Sequence, residues 1–248
     1  MSLEPNYIIG EKGRKIAYHY SEAKGPTVVF CGGYMSDMEG TKAIFLENSC
    51  KELGISYLMF DYSGHGKSSE EFVDGTIGTW TQDALSVIDE VTKGELIIVG
   101  SSMGGWIGLL VSLARKDRLK AFIGIAAAPD FTRELMWDNY SPAIKETLKR
   151  DGIYLEPSDY SDEPYKVSYK LIQDGENHIL LNKPIDLNCP IRLFHGLFDE
   201  DVPYSYSSRI AEKVISNDVI ISFNKSGDHR LSSEADLNRL KQAICEFI

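Results

Sequence analysis

Cysteine is scarce in this chain. Cys31, Cys50, Cys189 and Cys245 are spread over 248 residues, with neither the C-x-x-C spacing of a metal site nor the density of a disulfide framework. Buried thiols in a reducing compartment are the expected reading. Basic residues are outnumbered too: 26 Lys and Arg against 37 Asp and Glu leave a formal net charge of −11. Binding a phosphate backbone needs clustered Lys and Arg, so nucleic acid is excluded as a partner. The acidity reads as a solubility feature. No apolar run approaches the roughly 20 residues needed to span a bilayer. The opening MSLEPNYIIGEKGRK lacks a basic start followed by a long apolar stretch. No secretory signal is expected from it, and the expected location is cytoplasmic. Internal repeats and low-complexity tracts are absent as well.

What the chain does have is a 43% apolar share, enough for a sizeable core. Short apolar runs alternate with longer amphipathic segments. Thr27–Cys31, Ser56–Phe60, Leu96–Val99, Ala121–Ile125, Ile191–Phe194 and Val219–Phe223 read as strands. Most are apolar throughout, as strands covered on both faces are. Helices are predicted over Lys42–Leu53, Thr79–Thr92, Met103–Lys116, Ser205–Ile215 and Glu234–Phe247. This repetition implies an α/β fold: a mostly parallel central sheet with helices on both faces. A hairpin of Tyr7–Ile9 and Lys15–Tyr18 precedes it. The length suits one domain over residues 1–248.

Residues 131–188 break the rhythm. They hold Trp137, Tyr140, Tyr154, Tyr160, Tyr165 and Tyr169, and a helix is predicted from Pro142 to Arg150, with Pro at an early helical position. Long excursions in compact domains tend to be functional. The stretch is therefore expected to cap one end of the sheet, with Trp137, Tyr140 and Tyr165 lining an apolar substrate pocket.

Between the strand ELIIVG and the helix beginning MGGWIGLL lies Gly100-Ser101-Ser102-Met103-Gly104. A G-x-S-x-G turn from strand to helix holds its central hydroxyl clear of the sheet, and flanking glycines remove side chains that would collide. Gly and Ser also build ordinary turns and caps, and a serine hydroxyl needs a base that is itself oriented by an acid. Both follow at strand ends: Asp199 in His195-Gly196-Leu197-Phe198-Asp199-Glu200-Asp201-Val202-Pro203, and His229 in Ser226-Gly227-Asp228-His229-Arg230. Ser102, Asp199 and His229 thus form a candidate Ser-His-Asp triad in the order nucleophile, acid, base. Asp201 is the alternative acid, though the spacing HGxxDxxVP favours Asp199. Asp228 adjoins His229 and is expected to cap its loop, and His195 is expected to be structural. His19 and His178 are expected to be scaffold positions, and His65 part of a shaped glycine-rich loop. A tetrahedral intermediate also needs two donors for its oxyanion. The Met103 N–H at the helix start is one. The other lies in Gly32-Gly33-Tyr34-Met35, assigned by analogy to Tyr34 with Gly33 as the alternative.

Taken together, FCGGYMSDMEGTKA, FDYSGHGKSS, IIVGSSMGGW, CPIRLFHGLFDEDVP and SGDHR resemble the α/β-hydrolase family. They are similar in particular to its branch containing a mitochondrial depalmitoylase that also hydrolyses acyl glucuronides. The likeness runs from about Phe30 to Arg230. It implies a serine hydrolase of the acyl-protein thioesterase or carboxylesterase type, and carries over Ser102, Asp199 and His229. The substrate would be a small-molecule or protein-linked acyl ester or thioester, and no metal or organic cofactor is required. A serine peptidase is the rival enzyme reading. A non-catalytic binding module of the same fold ranks lower, because all three triad members are present.

Overall fold

Successive side chains of a strand point to opposite faces, so a run apolar at every position must be covered twice. The computed structural model, which describes residues 4–156 and 164–248, shows how. Tyr160 lies outside these residues. In chain order the elements are β1 (Asn6–Ile9), β2 (Lys15–Ser21), β3 (Thr27–Cys31), α1 (Thr41–Leu53), β4 (Ser56–Phe60), α2 (Ile77–Val91), β5 (Leu96–Ser101), α3 (Met103–Ala114) and β6 (Leu119–Ile125). An excursion follows with α4 (Pro142–Asp151), β7 (Ile153–Glu156), β8 (Tyr165–Ser168) and α5 (Tyr169–Gly175). The chain then resumes with β9 (Ile191–Gly196), α6 (Ser205–Lys213), β10 (Val219–Asn224) and α7 (Glu234–Cys245).

The eight-stranded sheet runs β1-β2-β4-β3-β5-β6-β9-β10. The β1–β2 hairpin and the β2–β4 pair are antiparallel, and the remaining pairs are parallel. Alternate residues divide between two cores. Val29 and Cys31 of β3 and Leu96 and Ile98 of β5 join Trp80, Trp106, Leu109 and Ile210 from α2, α3 and α6. Val28, Phe30, Ile97 and Val99 join Leu46, Leu240 and Ile244 from α1 and α7 on the other face. Cys31, Cys50 and Cys189 are buried, and burial pushes the Cys31 thiol up to about 12. Cys245 is exposed, unlike the expectation, because it ends α7 on its outer side.

Element boundaries moved where caps act. Thr76 accepts from the Thr79 N–H at 3.2 Å, so α2 opens at Ile77. The chain passes from β3 to β4 on one side and returns to β5 on the other, and open α/β sheets place their sites at such a switch point. Cys31 pairs with Gly100 there, so the loops after β3 and β5 emerge side by side.

The excursion has a small core of its own, Tyr140, Leu148, Val167 and Ile172, with Trp137, Tyr154 and Tyr169 packed on it. Its β7–β8 hairpin and α5 carried no sequence signal. Asp130 ties its exit down, accepting the N–H groups of Leu180 and Leu181 at 2.8 and 2.8 Å. Glu134 grips Arg209 of α6 with both oxygens, at 2.6 and 2.7 Å, and accepts the Tyr206 hydroxyl at 2.7 Å. Among the described residues no helix is long and apolar enough to cross a membrane.

Two glycines let α3 start against the sheet. A Cβ on Gly104 would lie 2.0 Å from the Cys31 carbonyl oxygen, and one on Gly100 would lie 2.3 Å from the Gly104 carbonyl oxygen. Both clashes are with backbone, which cannot rotate away. Gly104→Ala is therefore expected to cost about 3 kcal/mol of stability, measured by urea unfolding. An unchanged midpoint would mean that the helix start can shift.

Candidate active site

Ser102 sits between β5 and α3 with φ 55° and ψ −121°, a conformation that is costly for a residue with a side chain. Its neighbours impose it. The Ser102 N–H donates to Ile125 at 2.9 Å, and its carbonyl accepts from Gly105 at 2.8 Å and Ala128 at 3.1 Å. The side chain is then turned out toward His229, whose Nε2 accepts from Ser102 Oγ at 3.0 Å. On the far side of the ring, His229 Nδ1–H donates to Asp199 Oδ2 at 2.8 Å. The Asp199 side chain is fully buried, whereas that of His229 keeps an 18% exposed edge. The structure thus brings Ser102, His229 and Asp199 into one hydrogen-bonded line from three strand ends.

Every oxygen of Asp199 is occupied. Oδ1 accepts the N–H groups of Asp201 at 3.0 Å and Val202 at 2.8 Å. Oδ2 accepts from His229 and also lies 3.1 Å from His195 Nε2. Burial opposes the charge, yet the hydrogen bonds from His195, His229 and Val202 and the charge of His229 outweigh it, holding the carboxyl well below the usual range. Asp201 gives Asp199 its backbone N–H, and its side chain lines the cleft. Asp228 accepts the Leu231 N–H at 3.0 Å, as a loop cap. His178 faces Asp174 at 3.5 Å. His65 is packed among Tyr62, Phe72 and Trp80, and burial pulls it down to about 4, so it is neutral at physiological pH.

Met103 is the first residue of α3, and the first N–H groups of a helix have no intrahelical acceptor. The loop after β3 comes against the same point: a Cβ on Gly33 would lie 3.6 Å from Ser102 Cβ. Ser36 turns this loop by donating its N–H and Oγ to the Gly33 carbonyl, at 3.3 and 2.9 Å. Asp61 fixes it from below, accepting the Met38 N–H at 2.7 Å and the Lys67 N–H at 2.8 Å. The Tyr34 ring turns away among Phe72, Phe131 and Tyr165, with its hydroxyl donating to the Lys166 carbonyl at 3.3 Å. The Tyr34 ring thus lines the cleft.

A cleft of about 670 Å³ opens above Ser102. The core supplies Gly33, Tyr34, Met103 and Val202, and the excursion supplies Phe131, Leu135, Met136, Glu156 and Tyr165. Of the three aromatics expected there, Tyr165 lines it, and Trp137 and Tyr140 do not. Tyr140 is buried in the excursion's core against Tyr154. Trp137 stacks near Tyr169 and faces a separate surface groove of about 430 Å³. An insertion of this size must build a core before it can offer a wall, and its largest rings are used for that.

Comparison with known proteins finds relatives of the chain over most of its length. The family model described as serine aminopeptidase, S33 matches residues 22–152. Over 234 residues the chain is 41% identical to the palmitoyl-protein thioesterase ABHD10, mitochondrial, of Homo sapiens, covering 94% of this chain and 76% of that one. A putative hydrolase from Agrobacterium vitis S4 superposes with a TM-score of 0.95 at 36% identity over 100% of both chains. The α/β hydrolase domain-containing protein 10 from mouse does so at 0.91 and 36% identity over 98% of both.

The chain belongs to the α/β-hydrolase family.

This α/β-hydrolase holds further groups near its elbow that the sequence reading did not single out. Asp61 anchors the loop after β3. Its only sequence signal was an acid directly after a strand. Lys42 of α1 lines the cleft and donates to the Arg230 carbonyl and, at 3.3 Å, to Ser232 Oγ. Burial draws its amine down to about 8, against the opposing pull of Asp228. It braces the loop that carries His229. His195, expected to be structural, contacts the acid directly.

Two substitutions probe the line. Ser102→Ala is expected to remove turnover by several powers of ten and to abolish fluorophosphonate labelling, whereas Ser101→Ala retains labelling. Equal loss in both folded variants would remove the distinction. Asp199→Asn is expected to lower kcat on the order of ten-thousandfold by favouring the wrong imidazole tautomer. Asp201→Asn is expected to stay within about tenfold. A larger loss at 201 would transfer the role of acid there.

Proposed function

We propose that the enzyme hydrolyses carboxylic esters or thioesters of acyl conjugates through Ser102, His229 and Asp199. The observation that carries this reading is the line Asp199–His229–Ser102 at the foot of a cleft walled by Phe131, Leu135 and Met136. His229 Nε2, which already accepts the Ser102 hydroxyl, takes its proton as Oγ attacks the acyl carbonyl. The tetrahedral oxyanion is received by backbone N–H groups of Met103 and of Tyr34 or Gly33. His229 returns the proton to the departing alcohol or thiol. Water then attacks the acyl-enzyme with His229 again as base, and Asp199 stabilises the imidazolium in both halves.

The thioesterase named among the relatives and the apolar wall favour an acyl chain as the bound part. Residues 131–188 act as its lid in this proposal, with Tyr165, Leu135 and Met136 as the contact surface. A cytoplasmic location remains part of the proposal, although the relative is named as mitochondrial. Cell fractionation decides it. Peptide hydrolysis, which the family model's description brings in, is the outcome that a substrate panel must exclude.

Each methylene buried in the cleft is worth about 0.8 kcal/mol, a factor of about four in kcat/KM. With acyl esters and thioesters of rising length, kcat/KM is expected to climb stepwise and then level off. Met136→Trp should move the levelling point to shorter chains, and Trp137→Ala should leave it in place. A flat series, or faster cleavage of peptides, would overturn the acyl reading.

A further inference from the structure

The Asp199 carboxylate has a second imidazole partner. His195 is the next-to-last residue of β9, and its side chain is 0% exposed. Its Nδ1 lies 2.8 Å from Ser207 Oγ on α6. Its Nε2 lies 2.9 Å from the Val202 carbonyl oxygen and 3.1 Å from Asp199 Oδ2. Both neighbours of Nε2 accept hydrogen bonds and neither donates, so Nε2 must carry the hydrogen. When the ring is neutral, Nδ1 is an acceptor and the Ser207 hydroxyl is the group able to donate to it. The tautomer follows from the partners. The result is a chain of contacts Ser207–His195–Asp199–His229–Ser102 from the inside of α6 to Ser102, in which His195 Nε2 approaches Asp199 Oδ2 at 3.1 Å beside its hydrogen bond to the Val202 carbonyl.

We propose that His195 is a positioning residue whose Nε2–H shares Asp199 Oδ2 with His229 and so limits the pull of the carboxylate on the imidazolium. The inference rests on the triad reading above. An oxygen that serves two donors gives less to each. Without His195 the carboxylate would concentrate on His229 and favour its protonated form, which cannot accept the Ser102 proton. Other charged groups facing this place are Asp201, which clusters with Asp199 and His229, and Glu200, Lys42 and Arg230, which line the cleft. From α6 come Ser207 and Tyr206, the latter already bonded to Glu134.

His195→Phe keeps a ring of similar size and removes both nitrogens. The acidic limb of its pH profile of kcat/KM is expected to move up by about half a unit to one unit, a loss of roughly threefold to tenfold at a pH on that limb. His195→Gln, whose amide N–H reaches the same place, is expected to return the limb toward wild type. An unmoved limb in the Phe variant, with only a lower Tm, would leave His195 a packing residue and overturn the proposal. Imidazole ¹⁵N spectra of the wild-type enzyme test it even if that variant does not fold. The neutral Nε2–H tautomer is expected for His195, and an Nδ1–H tautomer would overturn the proposal. Fluorophosphonate labelling of the wild-type enzyme separates the two levels. Absence of labelling at Ser102 would remove the triad reading itself, whereas normal labelling with an unmoved limb removes only the role of His195.

Discussion

The start of α3 has to fit between the ends of β3 and β5, and everything at the site depends on that contact. With the Cys31 carbonyl occupying the space beside Gly104, the strand-to-helix turn has room for one backbone path. On that path Ser102 takes a positive φ, and its side chain leaves the sheet toward His229. The same closeness brings Gly33 against Ser102 and sets the first N–H groups of α3 beside the loop after β3. The outward turn of the Ser102 hydroxyl and the closeness of Gly33 to Ser102 are thus two consequences of one steric condition. The strain at Ser102 is held by hydrogen bonds to Ile125, Gly105 and Ala128, so the surrounding sheet over-determines it.

Around this turn, buried carboxylates do the work of fixing loops. Asp61 holds backbone N–H groups of residues 38 and 67, Asp130 those of 180 and 181, and Asp199 those of 201 and 202. Asp83 accepts the N–H and hydroxyl of Ser63 and pairs with Arg14 at 2.8 Å. Asp130 and Asp83 join segments distant along the chain, whereas Asp199 closes its own loop. A buried carboxylate is tolerable only when its lone pairs are filled, and loop N–H groups left over by secondary structure fill them. Part of the chain's acidity is therefore architectural. At Asp199 the same satisfaction keeps the acid ionised where it faces His229.

The excursion divides its apolar residues between two tasks. Tyr140, Leu148, Val167 and Ile172 hold it together, while Leu135, Met136 and Tyr165 face the cleft. The ion pair of Glu134 with Arg209 joins it to α6. Ser207, on the inner side of that same helix, meets His195. One helix therefore carries both the anchor of the excursion and the far end of the contacts leading to Ser102.

The core strands were legible because strands covered on both faces must be apolar at every position, and that is a one-dimensional signal. Ser102, Asp199 and His229 were legible for a related reason: a glycine-flanked turn and two strand ends mark them locally, and their chain order matches the geometry. The sequence could not say which aromatics of residues 131–188 face the cleft. Two short strands and irregular helical turns impose no period long enough to read, so Trp137 and Tyr140 looked as suitable as Tyr165. Nor could it show that His195 reaches Asp199. Three residues, Gly196, Leu197 and Phe198, separate them in no geometry the sequence reveals, and only the closing of that turn, through the N–H groups of Asp201 and Val202, folds the carboxylate back onto the ring. Residue types and their order along the chain were set by the sequence alone. Which side chains share an oxygen, a wall or a core was decided in three dimensions, where each group competes with all its neighbours for the same space and the same hydrogen bonds.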